Sequence, residues 1–230
     1  MERAGGPAIS TWTPTALLGR TLNETEERNA PPRVWTAGTM RIPVPGPRVA
    51  IVGTRQATPE SLAEARDIAR VLVRENVVIV SGLAKGIDTA AHRSAIESGG
   101  KTIAVLGTPL DRTYPAENQA LQAEIIKHHL AVSQFKVGSG VYRSNFVRRN
   151  RVMALIADAS VIVQAGESSG SISQGYEAIR LGRPLFIWKK LFDSELSWPK
   201  EMVKFGAKRL SDPKEILQDL PSKRLLQITA

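Results

Sequence analysis

Six short apolar runs alternate with segments of helical periodicity, and this alternation limits the fold more than any other feature of the sequence. The predicted strands are residues 48–53, 77–80, 102–106, 130–133, 160–163 and 184–187. The predicted helices between them are residues 59–75, 89–97, 115–127, 147–156 and 171–181. Strands that are apolar along their whole length are typical of parallel sheets covered on both faces. The sequence therefore predicts an α/β fold, a doubly wound, mostly parallel, Rossmann-like sheet with helices on both faces.

The two flanks lack this regular alternation. Residues 1–47 are rich in Pro, Thr and Gly, and the prolines near the end of this stretch exclude a central strand there. Residues 191–230 are polar and basic, with weak helical patterns at 194–205 and 213–220. We expect a partly irregular N-terminal arm at 1–47, a Rossmann-like domain at 48–190, and a C-terminal helical extension and tail at 191–230.

Charge and composition favour some partners and argue against others. The chain has 230 residues, a formal net charge of +9 and no cysteine. Positive charge favours acidic partners such as nucleic acid or anionic nucleotides. With no cysteine and only three histidines, a metal site is poorly supported, and we expect no metal and no cofactor. No apolar stretch approaches the roughly 18 residues of a membrane span, so we expect no signal peptide, no membrane contact and a cytoplasmic location.

Three turns rich in glycine and hydroxyl groups follow predicted strands, where ligands of such sheets bind. Their candidate phosphate-binding residues are Gly53, Thr54 and Arg55 in the first turn, Ser81, Gly82, Lys85 and Gly86 in the second, and Ser169, Gly170 and Ser171 in the third. Glycine lets backbone N–H groups approach a phosphate, and serine and threonine add hydroxyl donors. The simpler alternatives are a tight βα turn with a solvated Arg55 for the first turn and capping by one serine for the third, and for the third turn taken alone capping is favoured. The second turn matches neither the dinucleotide fingerprint nor the P-loop pattern.

Asp88 and His92 are four residues apart and lie on one face of a predicted helix. Such a pair forms half of a catalytic relay in some enzymes, but no nucleophile is assigned to it here. A structural hydrogen bond is the favoured interpretation, because a triad is established by its geometry. We expect no catalytic residue in this chain.

An arginine-rich segment lies in the longest acid-free span of the second half of the chain. Between Glu124 and Asp158 there is no Asp or Glu, while six Lys or Arg residues are present. The candidate nucleic-acid contacts of this span are Arg143, Phe146, Arg148, Arg149, Asn150 and Arg151. Arginine suits phosphate oxygens, and an aromatic ring offers a face on which a base stacks. The simpler alternative is a solvated helix face.

Several motifs, in order, resemble the Rossmann-like domain of the DprA/Smf family of DNA-processing proteins. They are Val49-Ala50-Ile51-Val52-Gly53-Thr54-Arg55, Ser81-Gly82-Leu83-Ala84-Lys85-Gly86-Ile87-Asp88 with Ala91-His92, Thr102-Ile103-Ala104-Val105-Leu106-Gly107, Leu110-Asp111-Arg112, Tyr114-Pro115 with Glu117-Asn118, Phe146 with Arg148-Arg149-Asn150-Arg151, and Ser169-Gly170-Ser171 with Gly182-Arg183. A lead-in at residues 31–38 also matches, and the resemblance covers about residues 20–190.

The resemblance implies sequence-nonspecific binding of single-stranded DNA, which protects the strand and presents it to a RecA-type recombinase during DNA uptake, transformation or recombination. It also implies a homodimer and a protein that is not an enzyme. The three turns would form the pocket, and Phe146, Arg148, Arg149 and Asn150 would lie along the path of the strand.

The sequence also departs from the family. The helical domain in front and the winged-helix-like domain behind do not fit in the flanks, and Ile172-Ser173-Gln174-Gly175 and Trp188-Lys189-Lys190 replace the usual residues. We therefore expect a reduced or divergent member.

Two alternatives remain open. One is a phosphoribohydrolase-like enzyme acting on nucleoside monophosphates, although Gln174 stands where that pattern places its acid and Glu177 is displaced from it. The other is a sensor that binds a nucleotide metabolite in the same turns.

Overall fold

One sheet of nine strands organises residues 8–221, the part of the chain that the computed structural model describes. In chain order the strands are β1 (Ile9–Trp12), β2 (Val34–Gly38), β3 (Arg48–Val52), β4 (Val78–Ser81), β5 (Thr102–Leu106), β6 (Leu130–Ser133), β7 (Ala159–Ile162), β8 (Leu185–Trp188) and β9 (Lys208–Leu210). Their order in the sheet is β1-β2-β6-β5-β4-β3-β7-β8-β9. All neighbours are parallel except β1–β2 and β2–β6, which are antiparallel. The predicted mostly parallel sheet is confirmed.

Helices cover both faces of this sheet. They are α1 (Pro14–Leu18), α2 (Glu24–Asn29), α3 (Pro59–Arg74), α4 (Ile87–Glu97), α5 (Gln119–His128), α6 (Arg143–Ile156), α7 (Gly170–Arg180) and α8 (Trp198–Lys204), with short 3-10 helices at Ala116–Asn118, Lys189–Phe192 and Pro213–Asp219. Helices α3, α4 and α5 pack on one face, and α6, α7, α1 and α8 pack on the other. The predicted doubly wound α/β class is therefore confirmed.

Alternation along the strands explains why both faces must be covered. On β3, Val49 and Ile51 face α3 and α4, while Ala50 and Val52 face the opposite cluster. All four side chains are at most 3% exposed. A strand that is apolar on both faces is stable only between two layers of helices.

The chain reverses its direction of travel across the sheet beside β3. Strands β3 to β6 are added outward in order, and β7 then returns to pair with β3 on its other side. The helices that follow these two strands, α3 after β3 and α7 after β7, consequently pack on opposite faces of the sheet. Ligands of doubly wound sheets bind in the crevice at such a switch point.

Both flanks contribute strands that the sequence analysis did not predict. Strand β2 pairs with β6, β1 pairs with β2, and β9 pairs with β8. The Trp12 indole donates to the Thr36 hydroxyl at 3.0 Å, which joins β1 to β2. The division into arm, domain and extension stays a prediction, and the ends of the predicted arm and tail, residues 1–7 and 222–230, lie outside the described residues.

A buried ion pair fixes the start of β3. The Arg48 guanidinium contacts the Asp158 carboxylate at 2.9 Å, and both side chains are at most 9% exposed. Arg48 also donates to the backbone oxygens of Ile156 at 2.7 Å and Val44 at 3.1 Å. This one side chain therefore joins the N-terminal flank, the end of α6 and the central strand.

Within residues 8–221, none of the helices combines the length and apolar character needed to cross a membrane. The same residues contain no group of three or more His, Cys, Asp or Glu side chains arranged to hold a metal ion.

Candidate functional site

A cleft of about 470 Å³ opens at the switch point. One wall is the loop after β3, the second is the N-terminus of α7, and the third is the face of α6. The predicted site residues that line it are Gly53, Thr54, Arg55, Phe146, Arg149, Asn150, Ser169, Gly170 and Ser171. The fold thus brings together parts of the first turn, the third turn and the arginine-rich segment.

The third turn presents an open helix N-terminus to the cleft. Ser169 is the N-cap of α7, its hydroxyl accepts weakly from the Ser171 N–H at 3.4 Å, and the two hydroxyl oxygens lie 2.6 Å apart. A Cβ atom added at Gly170 would meet nothing within 4 Å. The Asn150 amide donates to the Gly170 carbonyl at 3.1 Å, so α6 holds this turn in place. An open N-terminus with free space above it suits an anion.

The second turn, in contrast, is filled by protein. A Cβ atom added at Gly82 would lie 1.5 Å from Nη1 of Arg149. Arg149 is 6% exposed and donates to the Val105 carbonyl at 2.9 Å. The Asp88 carboxylate accepts from the backbone N–H groups of Gly82 at 3.1 Å and Ala84 at 3.3 Å. Gly82 therefore makes room for an arginine of the same chain.

Burial disfavours the charged forms of both Asp88 and Arg149 at this turn. It raises the pKa of Asp88, while the neighbouring Arg149 charge and the two N–H donors act in the opposite direction. It lowers the pKa of Arg149, and Asp88 counteracts that effect. Each group thus offsets part of the cost of burying the other, and removing one leaves the other without compensation.

Other residues of the second turn also have structural partners. The Ser81 hydroxyl is fully buried and donates to the Ile51 carbonyl at 2.6 Å. Gly86 has a φ of +76°, and a Cβ atom there would lie 2.4 Å from the Thr54 carbonyl oxygen. Lys85 is half exposed and forms an ion pair with Glu117 at 2.5 Å. Contact of these residues with a ligand stays a prediction.

The first turn contributes one exposed cation. Thr54 is tied to the scaffold, since its N–H donates to the Gln164 carbonyl at 2.7 Å. Arg55 is exposed, and its guanidinium carbon lies 5.6 Å from the centre of the Phe146 ring. Phe146 is half-buried against Gly107, where an added Cβ atom would lie 2.5 Å from Cδ1 of the ring.

The remaining arginines of α6 point outward. Arg143, Arg148 and Arg151 are exposed. Arg148 lies over the Phe135 ring at 5.4 Å, and Arg151 forms an ion pair with Glu177 at 3.0 Å. The arginine-rich segment thus contains both a solvated face and one buried member, Arg149.

The interpretation of Asp88 and His92 as a hydrogen-bonded pair was wrong. His92 Nδ1 lies 2.6 Å from the Thr102 hydroxyl, which itself donates to the Ile79 carbonyl. Because that hydroxyl uses its proton for Ile79, the geometry favours Nδ1 as the donor of this hydrogen bond. Burial, and to a lesser degree the Arg149 charge, lower the pKa of His92 to about 3. Asp88 instead bonds to the backbone of its own turn.

The residues of the enzyme alternative also have fixed roles. Gln174 is fully buried, and its amide lies 3.3 Å from the Ser160 hydroxyl. Glu177 is ion-paired with Arg151 and with Arg180. Neither side chain presents a free carboxylate to the cleft.

Sequence reasoning missed Tyr114 as a member of the site. Its ring centre lies 5.1 Å from that of Phe146, and Arg55 lies 5.8 Å from it. Tyr114 follows β5, the strand beside β4, so the rule that ligands bind at the carboxyl ends of strands would have selected it.

Comparison with known proteins identifies the family. The model of DNA recombination-mediator protein A matches residues 17–221. DNA processing protein DprA of Bacillus subtilis is 32% identical over 197 residues, which are 85% of this chain and 66% of the relative. The chain thus spans just under two thirds of that protein's length.

Two solved structures are similar in fold. The X-ray structure of DNA processing protein A from Streptococcus pneumoniae has a TM-score of 0.76 at 30% identity, covering 93% of this chain and 75% of that one. DNA processing protein A from Helicobacter pylori has a TM-score of 0.72 at 26% identity, covering 96% of each chain. With the family model spanning nearly all of the described residues, the chain belongs to the DNA recombination-mediator protein A family, that of the DprA and Smf proteins.

Proposed function

We propose that this protein binds single-stranded DNA without strong sequence preference in the switch-point cleft. The observation that carries the proposal is the meeting of an open helix N-terminus, at Ser169–Ser171, with the exposed Arg55 beside the Phe146 ring. The helix N-terminus suits a phosphate, and Arg55 beside the Phe146 ring suits a phosphate next to a base. Since every nucleotide has both groups, such a site reads no particular sequence.

Charge balance around the cleft supports the same ligand. Helix α6 and the loop before it carry no acid, and the exposed Arg143 and Arg148 lie on the side of α6 that faces solvent. Arg48 and Arg149 are held inside the fold, so the proposed contacts are Arg55, Arg143 and Arg148. A strand that leaves the cleft along α6 would neutralise these charges and release counterions.

The relatives support the class of ligand. The Helicobacter pylori structure is described as showing a single-stranded DNA binding mode of that protein. The Bacillus subtilis relative is named a DNA processing protein. We propose that the present chain acts on DNA in the same general way, protecting the strand and presenting it to a RecA-type recombinase in the cytoplasm.

We further propose that the protein works as a homodimer and has no catalytic step. Val203 near the end of α8 and Phe205 just after it are 45% and 62% exposed, and we propose these apolar side chains as part of the contact between copies. The engaged state of Glu177 and Gln174 supports a binding protein over a hydrolase.

The proposal is tested by fluorescence anisotropy with labelled single-stranded and double-stranded oligonucleotides over a series of salt concentrations. We expect preference for the single strand and a steep loss of affinity with salt. Arg55→Ala should weaken binding and reduce the salt slope by about 0.7 for each phosphate contact that is lost. Arg74→Ala is the matched control, because Arg74 is exposed at the end of α3 that lies away from the cleft.

Two results would contradict the proposal. One is no binding of the single strand at low salt; the other is an equal effect of Arg55→Ala and Arg74→Ala. A thermal shift with nucleoside monophosphates, in the absence of oligonucleotide binding, would instead support the nucleotide sensor.

A further inference from the structure

The loop between β5 and α5 contains a motif that the proposed function does not use. Its residues Tyr114, Pro115, Glu117 and Asn118 lie at the same edge of the sheet as the cleft. Tyr114 is 48% exposed, so its ring is accessible to a ligand at this edge of the sheet.

Two anchors fix the loop below Tyr114. The Asn118 amide is 5% exposed and donates to the Leu83 carbonyl at 2.9 Å and to the Thr89 hydroxyl at 2.9 Å. Glu117 adds an ion pair with Lys85 at 2.5 Å. Both anchors join the loop to the turn after β4, so the ring is attached to the rigid part of the site.

Part of the aromatic surface of Phe146 is already covered in the free protein. One side of its ring lies on Gly107. Tyr114 packs against it at a centre-to-centre distance of 5.1 Å and an interplanar angle of 55°, and the Arg55 guanidinium lies 5.6 Å from the Phe146 centre. A base therefore reaches the covered part of Phe146 only after other side chains move, whereas Tyr114 is half open to solvent.

Arg55 connects the two rings. Its guanidinium lies 5.8 Å from the centre of Tyr114 and 5.6 Å from that of Phe146. Among the described residues no ion pair to Arg55 is formed, and its guanidinium lies near the two aromatic rings. A cation over an exposed ring is a weak contact, and a phosphate attracts guanidinium more strongly.

We infer that Tyr114 is a base-stacking subsite at the rim of the cleft, and that Arg55 leaves the rings to contact a phosphate when a base stacks there. The inference rests on the proposed function, because the base belongs to the bound single strand. Phe146 then packs against Tyr114, while the Asn118 hydrogen bonds and the Glu117–Lys85 ion pair hold the loop that carries Tyr114 beside the cleft.

The test measures the affinity of Tyr114→Leu and Tyr114→Phe for two strands, an oligothymidylate and an abasic deoxyribose-phosphate strand of equal length. Tyr114→Leu should weaken binding of the oligothymidylate about tenfold, as expected for one lost stacking contact. Its salt slope should stay that of the wild type, since no charge is removed. Tyr114→Phe should bind like the wild type, and on the abasic strand all three proteins should bind alike.

A matched control is available on α7. Tyr176 is 44% exposed, and Tyr176→Leu should not change the affinity for either strand. Thermal unfolding of each variant shows whether the fold is retained, which we expect because Tyr114 is half exposed.

The outcomes separate the inference from the proposed function. Wild-type affinity of Tyr114→Leu for the oligothymidylate would overturn the subsite. An equal loss on the abasic strand would also overturn it, because the effect would then not depend on a base. Failure of the wild type to bind the oligothymidylate would overturn the proposed function itself, and that result requires no variant.

Discussion

The turn after β4 and the turn before α7 have similar compositions, and they differ in what lies against their glycines. At Gly82 an added Cβ atom would lie 1.5 Å from the Arg149 guanidinium, whereas at Gly170 it would meet nothing within 4 Å. The turn after β4 thus has its charged partner inside the protein. The turn before α7 leaves its helix N-terminus open to the cleft.

This difference shows that a glycine-rich turn at a strand end has two distinct uses. In one, the missing side chain admits a group of the same chain, and the turn becomes part of the core. In the other, it admits a ligand. The sequence of the turn does not distinguish them, because the filling group comes from α6, more than 60 residues away along the chain. Substitutions in the two turns should therefore have opposite consequences for stability and for binding.

The largest expected effect on stability comes from removing Arg149, the side chain that fills the turn after β4. Arg149→Met should lower the free energy of unfolding by about 3 kcal/mol, because the Val105 carbonyl loses its charged donor and the positive charge that partly offsets the burial of Asp88 is removed. Urea denaturation followed by circular dichroism measures this loss. The paired variant is Arg55→Met, at an exposed residue that lines the cleft, and it should change stability by no more than about 0.5 kcal/mol. Equal stability of the two variants would contradict the distinction.

A second substitution acts on the glycine itself. Gly82→Ala should destabilise the protein by about 1–3 kcal/mol, since the methyl group forces Arg149 out of its packed position. Thermal and urea unfolding both report this change. Adding Arg149→Met to Gly82→Ala removes the clash, so the two losses should be far from additive. Simple addition of the two losses would show that the glycine and the arginine act independently.

The turn after β4 also has a titratable neighbour, His92 on α4. Burial holds the pKa of His92 at about 3 in the folded protein, against an ordinary value of 6.5. The unfolded chain takes up a proton below that ordinary value and the folded protein does not, so stability falls as the pH drops from 6.5 towards 3. The slope should approach about 1.4 kcal/mol per pH unit.

Urea midpoints between pH 7.5 and 5 would measure this slope. In His92→Gln the slope of stability against pH should be shallower. The slope that remains should come largely from His129, because burial also lowers the pKa of that residue. An unchanged slope in His92→Gln would exclude His92 as its source.

The smallest effect on stability is expected at the open turn. Gly170→Ala adds a methyl group to the first residue of α7, where space is free, and should change stability by only a few tenths of a kcal/mol. The same methyl group occupies the proposed phosphate position, so the affinity for single-stranded DNA should fall. Fluorescence anisotropy measures the affinity, and thermal unfolding of the same sample measures the stability. Reduced stability with unchanged affinity would place Gly170 in the same class as Gly82.

The sheet was predictable because its central strands are apolar on both faces and end in turns. Strands β5 and β6 have the predicted bounds, and the others shift by a residue. Strands β1 and β2 escaped prediction since they lie towards one edge of the sheet, are short and are flanked by Pro and Thr. Strand β1 is largely exposed, and Thr36 interrupts the apolar residues of the mostly buried β2, so neither strand carries a continuous apolar run and their pairing partners decide their conformation.

The candidate site was predictable in its location more than in its details. The rule that ligands bind at strand ends identified the first and third turns, which the structure brings to one cleft. The burial of Arg149 was not foreseen, although helical spacing held a signal. Val152, Met153 and Ile156, three, four and seven residues later, are all buried. That spacing places Arg149 on the inner face of α6 and Arg148 outside it.

The antiparallel pair β1–β2 has a consequence for aggregation. Without it, the four residues of β6 would present a row of unpaired N–H and C=O groups along a flat apolar strand, a ready template for another chain. With it, the sheet ends in the short strand β1 on one side. On the other side it ends in the three residues of β9, where Lys208 and Arg209 supply charge. A fragment beginning at Arg48 would lose this protection, so we expect it to self-associate through β6 while its cleft residues remain intact.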